Sequence, residues 1–524
     1  MVSTTSAQNL ELLLKGKTQF ALIDVRDTGE YNSSHIPGSS LIPRKQLEFD
    51  ISRSVPVAST PIVLCCDDGR RSSLAVETLK KLRYSETSAL EGGINRWVTD
   101  GLPTEWGVNV PSKDFGEKVE VEYHVPEIEA TELQERIQRG DEMVILDTRT
   151  PEEYSRFCIP GGRSVPGGEL ALHITDITKD LSDAATVIIN CAGRTRSIIG
   201  TRVLQRMGIK NIFGLKNGTS GWVLAGYELE TGADRLTLEN PSNEAVAAAE
   251  AYADKLTEED GVRPIDVAGL RELQDGASTD TTYLVDVRSH EEYLAGHIPG
   301  FRGVPGGQAV QRTDEVAVVK NANVVFACDG KARATQTASF YRQLGIEHVF
   351  VLQGGTMAWQ AAGETLEQGN SSEKPIGMAE AKEKSKPVST KDADSMRPIN
   401  TIFVDTSQDF ARAHVPGSNW ITRGWLELNI DRFAPDNSQP ILVTCTDGQN
   451  SVFAAAALID MGYSDVSVLQ GGLRAWQADG LDVESGLTGV MAPPSDVLYS
   501  GPDRTYAEMM HYLRWETALG EKYA

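Results

Sequence analysis

No apolar run in the sequence approaches the ~18 residues a membrane-spanning helix requires, so no membrane partner is expected. Cysteine is scarce. Six in 524 residues do not make a disulfide framework, and none stands in a Cys-x-x-Cys pair. A reducing, cytoplasmic compartment is the expectation. No histidine–cysteine set has zinc-ligand spacing, and neither a metal nor another cofactor is expected. The opening stretch, MVSTTSAQNLELLLKGK, lacks the basic start and apolar core of a secretory signal. Basic residues are in deficit: 50 Lys and Arg face 74 Asp and Glu, a formal net charge of −24. That field repels phosphate backbones and argues against nucleic acid as a partner. An anionic small substrate is admissible only where local cations overcome it.

With 40% hydrophobic and 24% charged residues the chain reads as globular, and its length exceeds what one hydrophobic core supports. Its organising feature is a fixed interval. Cys66, Cys191, Cys328 and Cys445 each precede a tryptophan at one and the same spacing: Trp97, Trp222, Trp359 and Trp476. Upstream of each Cys lies an apolar run closing on an aspartate: ALID (21–24), VILD (144–147), YLVD (283–286) and IFVD (402–405). The aspartate-to-cysteine spacing varies slightly and is shortest in the fourth copy, from Asp405 to Cys445. That copy therefore reads as two residues shorter, without the Arg and the Glu-Tyr of DVRDTGEYNSSHIPG and its sisters.

The Cys itself ends a second apolar run in every copy: PIVLCC, TVIINC, NVVFAC and PILVTC. Short Val/Ile-rich runs read as buried strands. Alternating with helical patterns, they predict a small parallel sheet flanked by helices on both faces, four times over. The expected boundaries are 1–107, 124–232, 263–368 and 388–485 for the four α/β domains. Residues 108–123 read as a charged connector, 233–262 as a helical linker and 369–387 as a polar solvated linker. The tail, 486–524, carries Tyr506, Met509, Met510, Leu513 and Trp515 at spacings that suggest an amphipathic helix packed on a domain.

The cysteine loops read CDDGRRS, CAGRTRS, CDGKARA and CTDGQNS. A Cys between a strand end and a helix start lies at the carboxyl edge of a parallel sheet, where open α/β folds bind ligands. Backbone N–H groups of a tight turn, with the helix N-terminus, favour thiolate there. A Gly in each loop suits positive φ and close backbone approach.

DxR…EY…HIPG, a strand, a six-residue Cys loop and a GG…W tail together resemble the rhodanese homology domain, and four copies cover the chain apart from linkers and tail. The resemblance implies a thiolate that takes sulfane sulfur from a donor such as thiosulfate and holds it as a persulfide. It then passes the sulfur to a thiophilic acceptor, cyanide or a thiol, including a thiol protein. An exposed persulfide ringed by N–H donors needs no acid, base or metal. Cysteine phosphatases and arsenate reductases, the chemical competitors, close a wider Cys-x5-Arg cradle. Cys66–Arg71, Cys191–Arg196 and Cys328–Arg333 are all Cys-x4-Arg, which suits a single sulfur atom. A second reading is a sulfur relay or scaffold that binds partner proteins, some of its domains being inactive.

Loop charge ranks the four candidate catalytic cysteines, since neighbouring cations lower a thiol pKa. Ala192, Gly193, Arg194, Thr195, Arg196 and Ser197 carry +2; Lys331 and Arg333 outweigh Asp329; Arg70 and Arg71 cancel Asp67 and Asp68; the Cys445 loop has only Asp447. The order expected is Cys191, Cys328, Cys66, Cys445. Cys65, Cys158, His35, His297, His414, the four tryptophans and the Asp–Arg motifs are expected to serve structure.

Overall fold

The computed structural model describes residues 2–276, 279–370 and 374–524. Two compact units share the chain: the first and fourth repeats with Val318–Lys320 form one, and the second and third repeats with the segment from Tyr499 form the other. Each repeat builds a five-stranded parallel sheet in the order 1-5-4-2-3. In the second repeat these strands are Glu127–Ile128, Ile212–Leu215, Thr186–Asn190, Met143–Asp147 and Arg163–Ser164. The first repeat adds Val319–Lys320, antiparallel to Phe20–Asp24.

The continuous apolar runs form the central strands because both faces are covered. Phe20–Asp24 and Thr186–Asn190 are buried at every position. The chain leaves strand 4 toward strand 5 and strand 2 toward strand 3, on opposite sides. The crevice between strands 4 and 2 is thus the topological switch point, and the cysteine follows strand 4 directly into it.

Hydrogen-bond register corrects the alignment of the fourth repeat. Asp24, Asp147 and Asp286 pair with the residue before the Cys: Cys65, Asn190 and Ala327. In the fourth repeat that pairing belongs to Phe403, opposite Thr444. Val404 N–H then bonds Thr444 O, as Val25 N–H bonds Cys65 O. So there is no two-residue deletion. Phe403 occupies the position of the strand-end Asp, and Asp405 occupies that of the Arg.

The segments between repeats are more structured than their composition suggests. Residues 110–123 form a helix that packs on Thr195–Met207 with Phe115 and Val119 in the core; this is no free connector. The helix expected in 233–262 is present as Asn243–Glu259, and it packs on Leu170–Thr178 and Ala332–Gln343. In 369–387 the helix Met378–Lys384 packs on Gln449–Asp460, burying Ala381, and Lys386–Val388 is the edge strand of the fourth sheet. Sparse apolar anchors at helical spacing are enough to dock these polar segments. The tail forms the helix Tyr506–Ala518, burying Met509, Leu513 and Glu516 while Tyr506 and Met510 stay exposed.

The constant spacing from Cys to Trp has a direct cause. The second Gly of each GG-type pair, or its Asn-Gly counterpart (Gly93, Gly218, Gly355 and Gly472), has φ between +51 and +61°. In each, an added Cβ would overlap the carbonyl oxygen of the Cys of the same repeat: Cys66, Cys191, Cys328 and Cys445. That carbonyl accepts the next residue's N–H at 2.8–2.9 Å, from Ile94, Thr219, Thr356 and Leu473. The Trp helix is thereby fixed to the Cys peptide, and each indole N–H bonds a carbonyl six residues on at 2.7–3.0 Å.

Candidate active site: four thiol loops

Donors converge on each sulfur from its own loop. Gly69 N–H and Ser72 N–H reach Cys66 Sγ at 3.2 and 3.4 Å, and the thiol lies 3.5 Å from Ser72 Oγ. Gly448 N–H and Ser451 N–H reach Cys445 Sγ at 3.1 and 3.3 Å, with Ser451 Oγ at 3.3 Å. Cys191 meets the N–H groups of Ser197 and Gly193 and the Ser197 hydroxyl at 3.4 Å. Cys328 meets those of Ala334 and Gly330, with no hydroxyl at the sixth position. Ser72 and Ser451, absent from the candidate residues above, are thus part of the cradle; the recurrence of Ser six residues after Cys was the available signal.

The loop glycines divide into two kinds. Gly69 and Gly448, three residues after Cys, are left-handed at φ +93° and +88°. Gly193 and Gly330, two residues after Cys, are not among the positive-φ glycines. The expected need for φ > 0 thus applies to two loops of the four.

Each cradle is locked from the neighbouring strand. The Glu of the Glu-Tyr motif closes a capping box at the helix after strand 2 and also grips the last loop residue. Arg71 bonds Glu30 at 2.8 and 2.6 Å, Arg196 bonds Glu153 at 2.7 and 2.9 Å, and Arg333 bonds Glu292 at 2.7 Å twice. In the fourth repeat Asn450 instead donates to Asp405 at 2.8 Å, whose other oxygen takes Thr446 N–H at 2.7 Å.

Loop cations are therefore spent differently from their count. Arg194 turns to Glu117 (2.7 and 3.0 Å) and Glu127, Arg70 pairs with Asp68, and Lys331 pairs with Asp254. Arg333 is shared among Glu292, Glu169 and Asp329. Burial raises the Cys191 thiol, and Arg196 is the loop cation that chiefly opposes it.

The thiols are 0–2% exposed. This differs from the open, thiolate-favouring bowl expected. Burial raises all four pKa values and outweighs the N–H donors. Cys66 and Cys191 rise, while Cys328 and Cys445 reach about 11. After burial, Cys445 also feels the Asp405 and Asp447 carboxylates, and Cys328 feels Asp329 against Arg333. Loop charge placed Cys328 above Cys445; burial, the largest cause for both, raises each thiol to about 11.

The remaining candidates lie outside the cradles. Cys65 is in the core beside Trp97. His35, His297 and His414 are 2% exposed and stack on Tyr31, Tyr293 and Phe410 at 3.8–3.9 Å. Cys158 holds the same bridge position, opposite Glu230. Arg26, Arg149 and Arg288 chelate Asp24, Asp147 and Asp286 and a backbone carbonyl eight residues on.

A parallel sheet in the order 1-5-4-2-3 with a cradled thiol after strand 4 defines a class, and the sequence agrees. The rhodanese-like domain profile matches residues 6–100, 129–225, 267–362 and 389–479, and the chain belongs to the rhodanese-like family. The crystal structure of a thiosulfate sulfurtransferase from Pseudomonas aeruginosa superposes with a TM-score of 0.90 at 36% identity, over 99% of this chain and 98% of that one. The thiosulfate sulfurtransferase GlpE of Stutzerimonas stutzeri is 36% identical over 87 residues, 16% of this chain and 78% of that protein. The probable adenylyltransferase/sulfurtransferase MoeZ of Mycobacterium tuberculosis is 34% identical over 101 residues, 19% of this chain. The match spans about a quarter (26%) of MoeZ.

Proposed function

We propose that the protein is a sulfurtransferase that carries sulfane sulfur on cysteine as a persulfide, from a donor such as thiosulfate to cyanide or a thiol. The observation that carries this is the set of backbone N–H groups converging on a strand-end sulfur at the switch point of each sheet. Such fixed donors stabilise a terminal sulfur anion without reorganising as charge arrives. The whole-length likeness to the Pseudomonas aeruginosa enzyme supports the same reading.

Because the resting thiols are buried and protonated, loading includes removal of the thiol proton and an opening of whatever covers the loop. Cys191 is the principal carrier on this reading, since after burial its environment is an arginine and N–H donors, with no carboxylate among its main influences. The fourth repeat, with Asp405 where its sisters hold Arg, serves as scaffold or partner-docking domain. The test is exposure of the whole protein to thiosulfate, with persulfide located by mass spectrometry. A protein that acquires no persulfide from thiosulfate, but does so from a persulfidated partner protein, is a relay instead.

A further inference from the structure

All four thiols are buried, but the rims of their loops differ. Gly193, Arg194 and Thr195 are buried, whereas the corresponding residues after Cys66, Cys328 and Cys445 (68–70, 330–332 and 447–449) are half-buried or exposed. Two helices from outside the matched domain make the difference, and both belong to the same compact unit as Cys191. The first is Val110–Tyr123: a Cβ on its Gly116 would stand 3.0 Å from Thr195 Cγ2, and Glu117 takes Arg194. The second is the C-terminal helix Tyr506–Ala518. A Cβ on Gly193 would stand 3.5 Å from Tyr512 Cε1 and 4.0 Å from Leu513 Cδ2, and Thr195 Oγ1 donates to Glu516 Oε1 at 2.6 Å. Just ahead of that helix, a Cβ on Gly501 would stand 3.8 Å from Ala192 Cβ. At Gly330, the glycine equivalent to Gly193 in the third repeat, an added Cβ would meet only Met357 Cε of its own repeat, at 3.6 Å. Gly193 is one of the N–H donors to the Cys191 sulfur, so Tyr512 rests on the rim of the cradle.

The Tyr512 side chain is pinned while its helix is lightly anchored. Its phenol donates to the Glu516 carboxylate one turn on. Arg504 lies 4.0 Å over its ring and Lys113 Nζ 5.2 Å from it. Burial, then the Glu516 charge, holds the phenol well above its usual pKa, so the group on the rim is neutral. The buried apolar side chains of the helix are Met509 and Leu513 alone. An open cleft of about 670 Å³ lies between its Met510 and Thr517 and the body of the repeat at Lys216 and Leu224. Its neighbouring ties, Arg156 to Asp503 at 2.8 Å and Tyr506 Oη to Val223 O at 2.9 Å, are exposed. A terminal helix with few apolar anchors opens at the low end of local stabilities.

We propose that the C-terminal helix is a size filter on the Cys191 site: Tyr512, set on the rim at Gly193, admits small sulfur donors and acceptors such as thiosulfate and cyanide and excludes protein thiols. This rests on the sulfur-transfer reading above and assigns the substrate class of that one site. In discharge the acceptor bonds the outer sulfur, the persulfide S–S bond breaks, and its electron pair returns to Cys191 Sγ. Cyanide leaves as thiocyanate, and a thiolate leaves as its own persulfide; charge is conserved and no outside oxidant or reductant enters. A covered persulfide is also shielded from side reactions with surrounding thiols. Protein acceptors are left to the loops with open rims.

The test compares N-ethylmaleimide with a maleimide carried on a long polyethylene glycol chain, on the whole protein at one pH, following each cysteine by peptide mapping. The ratio of the two rates at a given cysteine cancels that thiol's own ionisation. In the wild type the small-to-large ratio at Cys191 should exceed those at Cys66 and Cys328 about tenfold, and Tyr512→Ala should bring it down to theirs. Tyr512→Phe keeps the ring and should keep the wild-type ratio, and the Cys328 ratio should stay constant throughout. Equal ratios in the wild type overturn the proposal. So does a Tyr512→Ala protein whose ratio is unchanged at Cys191, or falls at Cys328 as well. After loading with thiosulfate, the wild-type Cys191 persulfide should discharge to cyanide and resist a polyethylene glycol thiol; Tyr512→Ala should lose that resistance. Equal discharge to both acceptors in the wild type also overturns the filter. Wild-type protein that takes no sulfur from thiosulfate on any cysteine, with the maleimide ratios as expected, sinks the sulfur-transfer reading and leaves the cap standing.

Discussion

Arg196 and Glu153 hold each other through paired hydrogen bonds of 2.7 and 2.9 Å, tying the end of the thiol loop to the helix after the neighbouring strand. Burial works against the Glu153 carboxylate, but its bonds to Arg196 prevail and hold it at about 2. The same fork occurs as Arg71–Glu30 and Arg333–Glu292, and it is missing where Asn450 replaces the arginine. A planar fork cannot be replaced by a point charge. Arg196→Lys should therefore slow sulfur loading of Cys191 about tenfold, measured as persulfide per unit time at fixed thiosulfate. Full activity in that variant would show that the loop end needs charge but no fixed geometry.

Cys191→Ser should remove most thiosulfate:cyanide transfer, whereas Cys445→Ser should change it little. Thiocyanate production by the purified variants decides this. Equal losses from both would rule out environment as the criterion separating the four loops.

Asp405 is a negative charge beside the fourth thiol, at a position where the other repeats hold an arginine. Burial is the larger cause of the Cys445 pKa near 11, and Asp405 adds to it. Removing a nearby negative charge favours thiolate, so Asp405→Asn should speed alkylation of Cys445 several-fold at pH 9. Peptide mapping after iodoacetamide gives the rate, with Cys328 as reference. An unchanged rate would mean that access limits the reaction and ionisation does not.

Gly218 has φ +52°, and a Cβ there would run into Cys191 O; Gly226, with φ +87°, has nothing within 4 Å of an added Cβ. Gly226→Ala should cost about 1 kcal/mol, the backbone penalty alone. Gly218→Ala must also displace the Trp222 helix from the Cys191 peptide, and should cost several times more and disturb Cys191 loading. Denaturant melts of the two variants compare them directly. Matching midpoints would show that the helix-to-loop contact is soft.

In the unit that joins the first and fourth repeats, Glu48 receives Arg423 at 2.8 and 2.5 Å and Arg44 at 3.1 Å. Burial alone would raise Glu48, but the arginines hold it at about 2 against an ordinary 4.5. A carboxylate depressed on folding stabilises fully above its unfolded pKa, and that contribution is lost as pH falls toward its folded value. Glu48→Gln leaves buried arginines short of their partner and should cost about 3–5 kcal/mol at pH 7. The gap to wild type should narrow between pH 4.5 and 3. Urea melts across that range check the sign; a gap constant with pH would show that Glu48 is not depressed in the folded protein.

The fourfold repeat, the parallel sheets and the four strand-end cysteines were legible in the sequence. They depend on local periodicity and on a contact of fixed separation, the Cys carbonyl with the Gly that opens the Trp helix. The fourth repeat misled because IFVD imitates the strand-end aspartate; only the pairing of Phe403 with Thr444 set its register. A count of loop charge does not include the carboxylates of Asp254, Glu169 and Glu292, which reach Lys331 and Arg333 from distant positions in the chain.

Sequence alone determined what each repeat is, because a strand, its loop and the following helix are specified by residues close together in the chain. The tertiary structure decided which charges reach which thiol, how deeply each sulfur lies, and that Glu516, near the far end of the chain, comes to rest on the loop of Cys191 through Thr195. Burial and long-range electrostatics depend on packing between distant segments, and no local pattern encodes them.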